Sequence, residues 1–585
     1  MVVTSETEQW QDAVASAVRK ARDNQEAIWP SHIPREFPQE LANQAFIDVF
    51  QERVRQIPNR VAIQFYGTAI TYEALDGWSS SIAGWLMQHG VRRGARIGLF
   101  MQNCPQFIAV MLGTLKAGAV HVPINPMFKR SELEYETQDS GAEIIVCSTE
   151  QLSVVNDSQL PSVREIVPIA IGDLLPESPE LQLPKSLQSH TPVESGTPSR
   201  WAELVSTELT DPVAVDPHSV AALNYTGGTT GVPKGCMHTQ ANMLVAAHNC
   251  ALAWGLIGQE ATDAEAVLAF TPIFWISGEN NCILAPLFAG ATIVLLTRWD
   301  PVTALQAIEK FEVTAMSGVV ESYLQLLSLT TDAPRQLESL RHLRAMSFSK
   351  KLSIDIRRYW ESETGGGSVL RESSFGMTES HTSNTFTTTL EIDDYDLKSE
   401  PVFVGLPMPG TDVIVVDPST RYPLPLGDSG EIALRSPSNF IGYWDAPEKT
   451  KETLTDGWVF TGDTGRLSSD GTLHYLGRQK EMLKVNGMSV FPSEVEVLMA
   501  RNPKVEDIGV VGHPDEKTGQ SVHAYIRVTP GETTDAQELE LWAQENMATY
   551  KVPTVHLMES LPKTATGKIR KKDLPNGAIG STTED

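Results

Sequence analysis

Short, largely apolar runs, each followed by a stretch with helical spacing, constrain this chain more than any other feature. Residues 96–100, 120–124 and 143–147 read as strands that are apolar on both faces. Such strands must be covered on both sides, and helices between successive strands do the covering. Residues 107–116 supply one helix. Ile82, Trp85 and Leu86 recur at helical spacing in another, and Gly90 offers the left-handed residue that stops it. The pattern predicts an α/β fold with a mostly parallel sheet. At 585 residues the chain exceeds the ~250–300 at which one hydrophobic core stops growing, so at least two domains are expected.

The second unit is legible near the end. Val522, Ala524, Ile526 and Val528 alternate as a half-buried strand. Thr534 with Gln537 reads as a capping box opening a helix that carries Leu539, Trp542 and Ala543. Strand and helix together predict a small α+β domain over roughly the last hundred residues. Residues 174–198, rich in Pro, Ser, Glu and Gln, read as a surface loop. The tail after Leu574 is expected to be disordered.

Charge excludes two classes of partner. Forty-six Lys and Arg against 73 Asp and Glu give a net charge of −27. That argues against a broad hold on nucleic acid or on an anionic membrane surface, both of which need a basic face. Any anionic ligand must be bound by local features. The five cysteines form no CxxC pair and suit a reducing cytoplasm. The N-terminal residues lack the basic and apolar regions of a signal peptide. The most apolar stretch, 282–297, is too short for a membrane span and is broken by Pro286 and Gly290.

The sharpest local feature is residues 225–235, YTGGTTGVPKG, directly after the apolar run 221–223. Glycines let backbone N–H groups turn toward an anion, and the threonine hydroxyls and Lys234 add donors, which is the chemistry of a polyphosphate cradle. It is not a Walker loop, because Lys234 lies between Pro233 and Gly235.

Five ordered motifs carry a family resemblance. Besides this loop they are residues 374–379 (SFGMTE), 457–463 (GWVFTGD), 477–487 (GRQKEMLKVNG, followed by FPSEVE) and 562–568 (PKTATGK). The sequence from about 46 to 574 resembles the adenylate-forming superfamily of acyl-CoA synthetases, peptide-synthetase adenylation domains and beetle luciferases. The resemblance implies a large N-terminal domain (1–478) of stacked βαβ subdomains plus a β-barrel-like part. A small mobile α+β domain (479–574) and a tail (575–585) would follow. It implies an AMP-forming acyl-CoA synthetase using ATP, CoA and Mg²⁺ on a small carboxylic acid. A carrier-protein-loading enzyme and a luciferase-like oxygenase remain open alternatives. Architectures of this kind occur as monomers and as homodimers.

Residue roles follow from the resemblance. Thr226, Gly228, Thr229, Thr230 and Lys234 would hold the phosphates of ATP, with Thr230 close to the reaction. Phe375, Gly376 and Met377 would border adenine, and Phe375 would stack on it. Thr378 would meet the α-phosphate and Glu379 would hold Mg²⁺. Asp463 and Arg478 would bind the ribose. Lys568 would bridge the acid and the α-phosphate, stabilising charge in the transition state. Lys480 would be the hinge, and Lys484 and Gly487 would approach the incoming pantetheine.

Two segments depart from the family pattern. Trp275 takes a position where many relatives carry a His or aromatic gate, with Glu279 and Asn280 shortly after it. Residues 347–351 (SFSKK) stand where relatives often show a Gly-Gly or Gly-Ala pair lining the acyl pocket; Phe348 and Lys350, on either side of Ser349, are larger, and Gln240 stands where relatives often have His. A pocket formed by Trp275, Glu279, Phe348, Ser349 and Lys350 is expected to take a polar, aromatic or short-to-medium acid. Glu279 would suit a cationic group, Lys350 a second carboxylate.

Overall fold

A computed structural model describes residues 6–188, 198–207, 213–226, 233–259, 261–262, 264–330, 333–347, 350–372, 374–399, 402–478, 481–485, 488–515, 518–547, 549–564 and 568–575. The chain opens with helix α1 (Glu6–Gln25), well before the first strand. The helix foreseen around Ile82 is α2 (Tyr72–Gln88). Thr71 Oγ1 caps its start by accepting from Ala74 N–H at 3.1 Å, and Gly90, at φ +75°, turns the chain out of its end.

The strands read from the sequence lie in one sheet, within a residue or so of their expected bounds. They are β1 (Arg96–Phe100), then helix α3 (Pro105–Lys116), then β2 (Val120–Pro123) and β3 (Ile144–Ser148). The next strands are β4 (Val220–Tyr225) and β5 (Gly235–Thr239), an antiparallel hairpin. The spatial order is Gly442–Tyr443, β5, β4, β2, β1, β3, Glu165–Ile169, parallel from β4 onward. Every residue of α3 is buried, as a helix between two covered layers must be.

A second sheet, also mostly parallel, runs Val369–Glu372, His342–Met346, Ala315–Val319, Ala266–Ala269, Thr292–Leu295, Val61–Phe65, Thr68–Thr71. The short helix α4 (Ile276–Glu279) follows its strand Ala266–Ala269. The two sheets share one apolar core that includes Phe107, Leu112, Ile293, Leu343 and Trp360. Fully burying each such side chain contributes about 1.5–3 kcal/mol. Of the segment 174–198 expected as a surface loop, residues 189–197 lie outside the described residues, and residues 174–188 are less of a surface loop than their composition predicts. Leu181 and Leu187 drop into this core, and Lys185–Gln188 forms a helical turn; two leucines among polar residues suffice to pin it.

A third, fully antiparallel sheet holds β6 (Trp458–Leu467) and β7 (Leu473–Arg478) beside Ser429–Arg435 and Val402–Pro407. Helix α1 packs on it through Val14, Trp10 and Val18 against Ile414, Val416 and Trp458. After Arg478 a separate sheet begins at Leu483–Val485 and includes Val505–Asp515, Gly519–Val528 and Thr554–Leu557. Its core has its own members, among them Val490, Val510, Ile526 and Leu539. The predicted strand is Gly519–Val528. The predicted helix is α5 (Ala536–Asn546), but the cap is Asp535 rather than Thr534. The Asp535 carboxylate accepts from Glu538 N–H at 2.8 Å, and a carboxylate beats a hydroxyl at that position. Pro575 is tied down through its carbonyl, which accepts from Tyr525 Oη at 2.7 Å; residues 576–585 of the expected tail lie outside the described residues. No helix is long and apolar enough to cross a membrane among the described residues. All five cysteines are buried and free.

Candidate active site

The phosphate-cradle sequence sits at the turn between β4 and β5, at the carboxyl end of a parallel strand, where open α/β sheets place their ligands. Its stems are closed by Thr226 N–H donating to Lys234 O at 3.0 Å and Lys234 N–H donating to Thr226 Oγ1 at 3.3 Å. Tyrosines pin both ends to the helix 130–140. Tyr225 Oη donates to Asp139 at 2.6 Å, and Tyr135 Oη donates to the Pro233 carbonyl at 2.7 Å. Gly228, Thr229 and Thr230 lie outside the described residues.

Lys234 is linked to the acidic motif by a residue the sequence reading missed. Its Nζ lies 4.9 Å from the centroid of the Tyr443 ring, and Tyr443 Oη donates to Glu379 Oε1 at 2.6 Å. Burial and the neighbouring Glu379 raise the Tyr443 pKa, so the phenol keeps the proton it donates. The signal was the sequence Gly442-Tyr443-Trp444, whose strand pairs with β5.

Residues 375–379 form a tight turn. Gly376 and Met377 pair with Ser383 and Thr382, and a Cβ on Gly376 would meet the Thr382 carbonyl at 2.1 Å. Phe375 is buried in an apolar cluster, its ring 6.1 Å from that of Tyr475. The Thr378 carbonyl accepts from His238 Nε2 at 2.9 Å. Glu379 is 9% exposed. Among the described residues its second oxygen takes no hydrogen bond, which leaves a hard oxygen donor of the kind Mg²⁺ uses beside phosphates. Glu379 would hold that ion, which would neutralise phosphate charge when bound.

Asp463 on β6 and Arg478 on β7 are cross-strand partners, with Nε 2.9 Å from Oδ1. Asp463 is 2% exposed. Burial raises its pKa to about 6 despite Arg478, and Glu379 and Glu481 push the same way. Lys568 approaches this pair from the small domain. Thr564 N–H donates to the Lys568 carbonyl at 2.7 Å and Lys568 N–H to Thr564 Oγ1 at 3.1 Å, closing a turn. Lys563, in the strand-like arm of that turn, is held by Asp507 at 3.0 Å. The Lys568 side chain keeps solvent access, yet desolvation by the surrounding protein and repulsion from Arg478 lower its pKa, against Asp463 and Glu481. Within the small domain Lys571 lies 3.2 Å from Glu481 and 2.9 Å from Glu496. Lys480 and Gly487 lie outside the described residues; Lys484 is placed on the strand Leu483–Val485, opposite Ser489.

The expected acyl side is less open than its residue types suggested. Trp275 is half-buried, its ring 5.3 Å from Phe274, and begins α4. Glu279 does not present its charge to an open pocket: it is 0% exposed. Its Oε2 accepts from His121 Nε2 at 3.1 Å and Asn224 Nδ2 at 2.8 Å. Burial alone would raise its pKa; His121, His381 and Asn224 outweigh it and hold the value at about 2. The only forewarning was a histidine, His121, in an otherwise apolar strand. Lys350 is half-buried and its main-chain N–H donates to Glu321. The neighbouring Lys351 turns inward, donating to the Ser347 carbonyl at 2.7 Å, and burial lowers its pKa. Phe348 and Ser349 lie outside the described residues. Gln240 is structural, accepting from Ile47 N–H and donating to the Leu115 carbonyl.

Known proteins match this chain over most of its length. The AMP-binding enzyme family matches residues 50–444, and the AMP-binding enzyme C-terminal domain matches residues 494–568. A long-chain-fatty-acid–CoA ligase of Bacillus subtilis (strain 168) is 30% identical over 562 residues, covering 94% of this chain and 97% of that one. A feruloyl-CoA synthase of an Amycolatopsis species is 30% identical over 525 residues, covering 89% and 96%. ATP-bound MatB from Rhodopseudomonas palustris superposes with a TM-score of 0.76 at 25% identity, covering 90% of this chain and 98% of that one. The anthranilate CoA ligase AuaEII, in complex with anthranoyl-AMP, gives 0.76 at 26% identity, covering 92% and 97%.

Proposed function

The chain belongs to the AMP-binding enzyme family and is an AMP-forming acid–thiol ligase that takes a carboxylic acid, ATP and CoA to acyl-CoA; from that premise we propose that its acid is polar or aromatic and of short-to-medium length. A carboxylate oxygen bonds to the α-phosphorus and pyrophosphate leaves. The thiolate of CoA then bonds to the acyl carbon and AMP leaves. The first step brings anions together, so it needs fixed positive charge and hydrogen-bond donors at the phosphates.

The assignment of roles rests on one observation above the others. Motifs far apart in the sequence meet directly: Asp463 and Arg478 pair at 2.9 Å, and Tyr443 joins Glu379 to Lys234. Asp463 and Arg478 hold the ribose, Thr378 the α-phosphate, and Lys234 with Thr226 and the loop threonines the outer phosphates. Phe375 borders the adenine from within its apolar cluster. The boundary between the domains falls after Arg478, with Lys480 as the pivot; Lys484 and Gly487 would approach the incoming CoA. The buried free thiols suit a cytoplasmic enzyme.

The acid's character is read from the ground around Trp275. An indole at the head of α4 suits an aromatic acid better than a long alkyl chain. Relatives named for ferulate and anthranilate lie in the same direction, although others are named for long-chain fatty acids. The test is acid-dependent ATP–pyrophosphate exchange across aliphatic, aromatic, amino and dicarboxylic acids, repeated for thioester formation with CoA. Best turnover on an unsubstituted long-chain fatty acid would overturn the substrate class. Adenylation without any CoA thioester would point to a carrier-protein acceptor.

A further inference from the structure

Four elements far apart in the chain meet on the Glu279 carboxylate. One oxygen is shared by His121 on β2 and Asn224 on β4, at 3.1 and 2.8 Å. The other faces His381 Nε2 at 3.7 Å. Glu279, His121 and His381 are 0% exposed. The His381 ring stands edge-on to His238, with centroids 4.7 Å apart. His238 in turn holds the Thr378 carbonyl, and His381 itself follows Glu379 by two residues. Glu279 thus closes a path from the helix headed by Trp275 to the segment assigned to the α-phosphate and Mg²⁺.

This cluster is a poor device for stability alone. Nδ1 of His121 and His238, both ring nitrogens of His381 and Oδ1 of Asn280 make no hydrogen bond among the described residues. Replacing such groups with apolar side chains of similar volume is often neutral or stabilising, so a core selected for stability has no need of them. The helix also widens straight after Glu279 into a π-helical turn, Asn280–Leu284, a distortion frequent at functional sites. Its approach is tightly fixed, since a Cβ on Gly278 would meet the Pro272 carbonyl at 2.0 Å.

We propose that Glu279 is a positioning residue for acid activation: through His381 and His238 it fixes the Thr378–Glu379 segment relative to α4, so that the acid beside Trp275 meets the α-phosphate in line. The proposal rests on the roles given above to Thr378 and Glu379. Glu279 touches no reacting atom; its charge is met inside the protein. A displacement of about 1 Å between the two halves is enough to cost on the order of 10²-fold in rate.

Glu279→Gln keeps the volume and one carbonyl acceptor but removes the charge that faces His381. It should lower kcat of acid-dependent pyrophosphate exchange by about 10- to 100-fold. The KM for ATP, and thioester formation from added acyl-adenylate and CoA, should stay within about twofold, because neither needs the acid and α-phosphate aligned. His381→Gln leaves the bonds to His121 and Asn224 in place and should give the same split on a folded protein. The double variant should be no worse than the poorer single one. Exchange near wild type in either variant, equal loss of both half-reactions, or additive losses would overturn the proposal. Absence of acid-dependent exchange in the wild type would instead overturn the ligase roles on which it rests.

Discussion

Replacing Asp463 with Asn should make the ligand-free protein more stable at neutral pH while removing its hold on the nucleotide. Burial raises this carboxyl from 3.8 to about 6, with Arg478 opposing and Glu379 and Glu481 assisting. The folded protein therefore binds the proton more tightly than the unfolded chain does. Between about pH 4 and pH 6 the unfolded chain has released that proton and the native state keeps it, so stability falls as pH rises through the window and stays low above it. About two pH units at 1.36 kcal/mol each give a scale of about 3 kcal/mol. Asn carries no charge and escapes this penalty. Arg478, whose side chain is 53% exposed, returns to water, so the lost ion pair costs little. The backbone bond from Asp463 N–H to Thr461 Oγ1 does not involve the altered group. The assay is urea unfolding followed by tryptophan fluorescence, without nucleotide, for both proteins at several pH values from 4 to 8. Two domains do not unfold as one two-state step, so the readout is the difference in midpoint at each pH. The variant's advantage should grow from pH 4 to pH 6 and then level off, while ATP binding measured by calorimetry is lost. A variant no more stable than wild type at pH 8, or an advantage independent of pH, would refute the reasoning.

Other perturbations test other parts. Lys568→Ala should lower pyrophosphate exchange by on the order of 10²-fold or more, as for loss of one transition-state donor; near-normal exchange would remove the assignment. Gly376→Ala should drive a Cβ into the Thr382 carbonyl and displace Thr378 and Glu379, abolishing exchange while circular dichroism stays native in form. Lys480→Pro should spare adenylation and block thioester formation, read by measuring the two half-reactions separately; equal loss of both would argue against a hinge there.

What the sequence made legible, and what it hid, follows from the range of the forces involved. Strands 96–100 and 143–147 were readable because burial on both faces leaves a continuous apolar run. Local caps were nearly readable; the start of α5 slipped by one residue because Thr534 and Asp535 are both good caps and the carboxylate won. Asp463 and Arg478 were found as members of separate motifs, but their direct pairing is set by the β6–β7 register, which neither motif encodes. Glu279 was noticed as an oddity and given to the substrate. Its partners at 121, 224 and 381 come from three other elements, and no periodicity links them. Tyr443 escaped for the same reason: its value lies in reaching Glu379 and Lys234, 64 and 209 residues away.

Helix α1 has a consequence in time. Its Trp10 indole donates to the Arg421 carbonyl, 411 residues later, and Gln25 donates to the Gly471 carbonyl, 446 residues later. A ribosome adding ~5–20 residues per second leaves the helix without that surface for roughly 20–80 s. During this interval Trp10, Val14 and Val18 form an unpartnered apolar stripe on the nascent chain, available to chaperones or to neighbouring chains. Docking of α1 is therefore a late event in folding, and its closure against the third sheet reports that the large domain has been completed.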